Sequence, residues 1–153
     1  MNEYILPITF GIDEQLITCG AVLSGFTILP QRKIIISLII MALSNSLPDT
    51  LSYYNEKKGE GKDTNEALKL SSAVFASEIL STLIILIPFF VFKDKNKAIA
   101  SCYMLILFIL LSSNYYRERN IIKSLSKLPI YIGIAFTIWK ISEFARKHFK
   151  VTI

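Results

Sequence analysis

Long apolar runs separated by short polar breaks dominate the chain, and each run approaches the roughly 20 apolar residues that one membrane crossing needs. The first runs from about Tyr4 to Leu29 and stops at Pro30-Gln31-Arg32-Lys33, where a proline and two cations end it. The second covers about Ile34 to Tyr54, with Tyr53 and Tyr54 placed where aromatic rings favour an interface. Asn55 to Glu66 is polar and reads as a loop or a helical extension into water. The third run, about Leu68 to Phe92, follows Asp63-Thr64-Asn65-Glu66, residues suited to an N-cap and a first turn. The fourth covers about Lys97 to Asn114. A fifth must join Ile121–Leu128 to Pro129–Trp139; Pro129 predicts a kink in it, and a helix lying in the interface is the competing reading. The pattern predicts an all-α membrane protein, a bundle of five transmembrane helices in a single domain over residues 1–153, with spans at about 4–29, 34–54, 68–92, 97–114 and 121–144.

Composition agrees with the pattern. Hydrophobic residues make up 52% of the chain and mean hydropathy is +0.48, more apolar surface than a soluble core of this length buries. Met1-Asn2-Glu3 has no basic n-region and the first run lacks a small-residue cleavage site, so that segment is expected to be retained. A net charge of +5 would raise nucleic acid as a partner in a soluble protein. Here even the densest basic stretch, Arg117, Arg119, Lys123 and Lys127, lies in a break between apolar runs, so the cations read as topology signals and headgroup contacts, and nucleic acid is not expected. They divide almost evenly between the two sides of the five-span layout, which leaves orientation open. Cys19 and Cys102 fall within apolar runs and read as buried thiols. No span holds a nucleophile with a base, a histidine pair or a phosphate-cradling glycine loop, so an enzyme is not expected.

Four acids inside the proposed spans change the picture: Asp13, Glu14, Asp49 and Glu78. Each costs about 2.5–3.5 kcal/mol at a bilayer centre on insertion scales, so they are expected to face one another, water or a cation. Spans one to three hold no deep basic residue to pair with them. Gly11, Glu14, Thr18, Ala21 and Gly25 recur at helical spacing as a small and polar stripe, where another helix must pack closely. Met41, Asn45 and Asp49 follow one another at four-residue spacing, with Ser52 beyond, and read as a cation ladder. Ser71, Glu78 and Ser81 share a face of the third span, with Thr82 adjacent. Oxygen-rich ligands with one soft sulfur and no histidine suit a divalent cation such as Fe²⁺ or Mn²⁺ better than a structural zinc; the one histidine, His148, lies in the basic tail. The same carboxylates can carry protons in exchange, and Glu78 is the candidate proton carrier.

Gly11-Ile12-Asp13-Glu14-Gln15-Leu16-Ile17-Thr18, running into Ala21-Val22-Leu23-Ser24-Gly25-Phe26, resembles the first helix of the vacuolar iron transporter family, where G-[VI]-x-D-G-L leads to a small-residue A-G-L. The family's metal-pathway aspartate falls on Glu14. Ser44-Asn45-Ser46-Leu47-Pro48-Asp49-Thr50-Leu51-Ser52, ending in Asn55-Glu56, is similar to the family's S-M-x-x-G-E-Y-L-S ending in S-E, with Asp49 at the glutamate and Asn45 at the methionine, while Met41 stands one turn earlier. Ile84-Ile85-Leu86-Ile87-Pro88-Phe89 matches the hydrophobic run to proline of the third span. The family's cytoplasmic metal-binding extension after span two has no counterpart in Asn55 to Glu66. The resemblance implies a homodimer in a vacuolar or cell membrane that moves iron or manganese against protons, with no resident cofactor. Its pathway would lie near the first helices of the two subunits, with Glu14, Asp49, Met41 and Asn45 along it. The alternative from another class is a non-transporting scaffold or partner-binding protein of the same fold.

Overall fold

The computed structural model describes residues 3–149, and every regular element among them is helical. The elements are α1 (Ile5–Phe26), α2 (Gln31–Gly59), α3 (Thr64–Val91), α4 (Lys95–Glu118), α5 (Ile121–Ser126) and α6 (Leu128–Phe149). Four of them, α1 to α4, are each long and apolar enough to cross a membrane, and the stretch Ile121–Ile141 across α5 and α6 supplies a fifth.

Local chemistry sets the ends. Asp63 caps α3 by accepting from the Glu66 N–H at 2.8 Å, and Asp94 caps α4 by accepting from Asn96 and Lys97 at 2.8 and 3.1 Å. Asn120 does the same for α5 with Ile122 and Lys123. The polar segment after the second span is largely helical, because α2 continues to Gly59 before Gly61, at φ +86°, turns the chain into α3. Glu66 pairs with Lys62 in that turn and raises the lysine above its ordinary range, which keeps it charged.

The fifth span departs from a single kinked helix. The chain breaks at Lys127, α6 begins at Leu128, and Pro129 takes a first-turn position where its missing N–H costs nothing. Lys150 and the residues beyond it lie outside the described residues.

α1 stands at the centre of the bundle and touches α2, α3, α4 and α6, while α3 also packs on α2 and α4. The apolar core fills one end: Leu16, Cys19 and Leu23 meet Ile34, Leu38, Ile85, Phe89, Cys102 and Ile106 there. Burying a large aliphatic side chain stabilises by about 1.5–3 kcal/mol in water, whereas inside a bilayer close packing replaces that drive. The outward faces are equally apolar, with Leu43, Leu47, Leu51, Leu80, Met104 and Phe108 each more than half exposed. Exposed apolar faces of that extent are compatible with a membrane or another protein against them.

Candidate cation site

Toward the N-terminal end of the bundle, between the large apolar core and a smaller apolar cluster of Tyr53, Leu70 and Val74, the helices meet through small and polar residues. Gly11 lets α1 reach α3: a Cβ there would sit 2.3 Å from Ser77 Oγ and 2.8 Å from the Val74 carbonyl oxygen. That close approach brings α1 against Glu78 as well, whose Cγ would lie 3.2 Å from the same Cβ. On α2, Pro48 has no N–H to donate, so the Ser44 carbonyl loses its in-helix partner one residue before Asp49.

Three acids converge where these helices meet. One carboxylate oxygen each from Glu14 of α1, Asp49 of α2 and Glu78 of α3 lies within 4.8 Å of the other two. Each acid occupies the middle third of its helix. Glu14 is nine residues, about 14 Å of rise, from the start of α1, and Asp49 is ten residues, about 15 Å, from the end of α2.

The cluster lacks the partners that buried charge requires. Glu78 is wholly buried, and neither of its carboxylate oxygens accepts a hydrogen bond of normal geometry; nor does Glu14 Oε2. Nearby hydroxyls are committed to their own helices: Ser46 donates to the Ala42 carbonyl, Ser77 to Val74 and Ser81 to Ser77, each at 2.7 Å, and Thr18 donates to Glu14 at 3.0 Å. Among the described residues no ion pair reaches any of the three. Three oxygen donors on three helices, uncompensated by a basic group, form the hard anionic set that Mn²⁺, Fe²⁺ or Ca²⁺ prefers.

The other residues singled out from the sequence sit as follows. Asn45 is half-buried on α2, one turn from Asp49. Met41 lies two turns from Asp49, about 12 Å along the axis, and packs against the apolar cluster rather than on the carboxylates. Asp13, the fourth acid within these apolar helices, faces the other way, and Arg117 Nη1 donates to its Oδ2 at 3.3 Å. Arg117 comes from the end of α4, 104 residues away. That cation was missed because only spans one to three suggested themselves as its source.

Two further polar features also escaped the sequence reading. Gln15 Nε2 donates to Thr82 Oγ1 at 2.6 Å, in a fully packed position one turn of α3 beyond Glu78. Asn114, also fully buried, accepts on Oδ1 from Arg117 Nη2 at 2.6 Å and from Lys127 Nζ at 3.1 Å, and its amide donates to the Leu110 carbonyl and to the Tyr131 hydroxyl. An asparagine closing an apolar run, after Ser112 and Ser113, was the available signal.

No protein-family model, curated protein or solved structure matches this chain.

Proposed function

We propose that the protein is a multi-pass membrane transporter that moves a divalent metal cation, iron or manganese, in exchange for protons, through a site formed by Glu14, Asp49 and Glu78. The observation that carries this reading is the convergence of three carboxylates within 4.8 Å, one of them wholly buried and none paired with a base. In an apolar setting such a set is costly to keep, and it is retained where charge passes. A carboxylate that accepts a proton releases a cation, so one site serves both cargoes, and Glu78, the deepest of the three, links cation occupancy to the interior of the bundle.

The same reading makes the working unit a homodimer. Glu14 and Asp49 are only half-buried, and Thr18, Ala21 and Gly25 continue the Glu14 face of α1 as half-buried small positions. Acids on an outward face at mid-helix need cover other than lipid tails, and small residues let a second backbone approach.

Purified protein in liposomes under a set pH gradient, challenged with Fe²⁺, Mn²⁺, Zn²⁺ and Ca²⁺, tests the proposal. Uptake of Fe²⁺ or Mn²⁺ is expected, with counterflow of protons, and the Glu14→Gln, Asp49→Asn double variant should lose it while still inserting and assembling. Intact uptake in the double variant would remove the site assignment. No cation flux through the wild-type protein would favour a non-transporting scaffold.

A further inference from the structure

Asp13 and Glu14 are consecutive on α1, so their side chains leave the helix about 100° apart. Glu14 turns toward Asp49 and Glu78, and Asp13 turns toward α4, where Arg117 meets it. Which acid faces which helix therefore depends on how α1 is rotated about its own axis. A turn of one residue that carried Asp13 into the cluster would carry Glu14 about 100° further round, away from Asp49 and Glu78, so only the observed rotation gives both acids their partners.

The partner on α4 is held firmly. Arg117 is one-third exposed at its side chain, yet its second nitrogen is anchored on Asn114, which has no exposed surface. Asn114 in turn is fixed from three directions, by the Leu110 carbonyl within α4, by Lys127 at the junction of α5 and α6, and by Tyr131 on α6. Lys127 is braced by Glu118 at 2.8 Å. Three turns further along α1, Ser24 and Tyr103 share a hydrogen bond of 2.7 Å and tie the same two helices. Asp13 is mostly buried, at 14% side-chain exposure, so its link to Arg117 is shielded from the screening that weakens surface pairs.

We propose that the Asp13–Arg117 ion pair, anchored on Asn114, is a positioning device that sets the rotation of α1 and so points Glu14 at Asp49 and Glu78. Arg117 acts through α1 and touches no cargo. The part of the proposal that concerns cation affinity rests on the transport reading; the part that concerns rotation does not.

Full-length protein in nanodiscs provides both measurements, with Mn²⁺ alone as the probe. Free Mn²⁺ followed by electron paramagnetic resonance should show Arg117→Met binding about tenfold or more weakly, the size of effect seen when groups that orient metal ligands are removed. The exchanged pair Asp13→Arg with Arg117→Asp should recover most of the loss. Tyr131→Phe, which removes one tie on Asn114 and leaves its bonds to Leu110, Lys127 and Arg117, should weaken binding less than Arg117→Met does. The second measurement needs no metal: cysteines introduced singly at Ile17 and Thr18, on different faces of α1, are labelled with a membrane-permeant maleimide, and Arg117→Met should shift the ratio of their rates. An unchanged ratio, or equal weakening of Mn²⁺ binding by Tyr131→Phe, overturns the proposal. Wild-type protein that binds no Mn²⁺ overturns the transport reading alone, and the labelling ratio still decides the rotation.

Discussion

Gln15 and Thr82 share a hydrogen bond of 2.6 Å that joins α1 to α3 in a part of the bundle where neither side chain keeps more than 2% of its surface. Cys19 Sγ lies 3.8 Å from the same threonine oxygen and 3.9 Å from the glutamine nitrogen, so this polar contact, one turn of α3 beyond Glu78, ends on a weakly polar thiol before the larger apolar core takes over. The polar layer and the larger apolar core meet at this contact.

Its removal is the first prediction. Thr82→Val leaves the buried Gln15 amide with only the weak Cys19 sulfur as acceptor and should lower stability by about 1–2 kcal/mol, the range for interhelical hydrogen bonds in model membrane helices. Adding Gln15→Leu should cost less than a second loss of equal size, because both polar partners are then gone. Thermal unfolding in a mild detergent measures each variant. Strict additivity of the two single losses would mean that the bond does not couple the helices.

The second concerns Gly11. Any side chain there meets Ser77 Oγ and the Val74 carbonyl far inside contact distance, and a carbonyl in a helix cannot yield as a side-chain tip can. Gly11→Val should cost about 1–3 kcal/mol or more through overpacking and, by pushing α1 off α3, should separate Glu14 from Glu78. A Gly11→Val protein with wild-type stability and undiminished Mn²⁺ binding would contradict this close approach.

The third concerns topology. Single cysteines at Lys58 and Arg119 should react with a membrane-impermeant reagent from one side, and cysteines at Lys95 and Lys147 from the other. Reaction of Lys147→Cys and Arg119→Cys from the same side would place α6 in the interface and reduce the crossings by one.

The fourth concerns assembly. Gly25→Leu adds bulk to the small face of α1 without touching the carboxylates, so it should shift a dimer toward monomer in bilayers and leave Mn²⁺ binding per chain nearly intact. Unchanged oligomer size would remove the role of this face as an interface.

The helices were legible in the sequence because their ends carry local chemistry: Pro30 with its two following cations, and Asp63 with an acceptor for Glu66. Glu14, Asp49 and Glu78 stood out singly, as acids in apolar surroundings. Their meeting point was not legible, since it depends on α3 packing against both α1 and α2, and helical period within one element says nothing about rotation between elements. Periodicity also put Met41 in line with Asp49, but a shared face is not a shared depth, and two turns of rise keep the sulfur among the apolar side chains. The fifth span fared similarly: Pro129 marked a disturbance, and the tolerance of proline in a first turn moved the break to Lys127.

The 104 residues between Asp13 and Arg117 have a consequence for how the molecule is made. At roughly 5–20 residues per second a ribosome takes about 5–20 s to extend the chain from one to the other. The first three helices, with all four acids, exist before the cation that turns α1 has been synthesised. Until Arg117 emerges, α1 is held by α2 and α3 alone, through contacts such as Gln15–Thr82, and the tie from Asp13 to α4 can only be added afterwards.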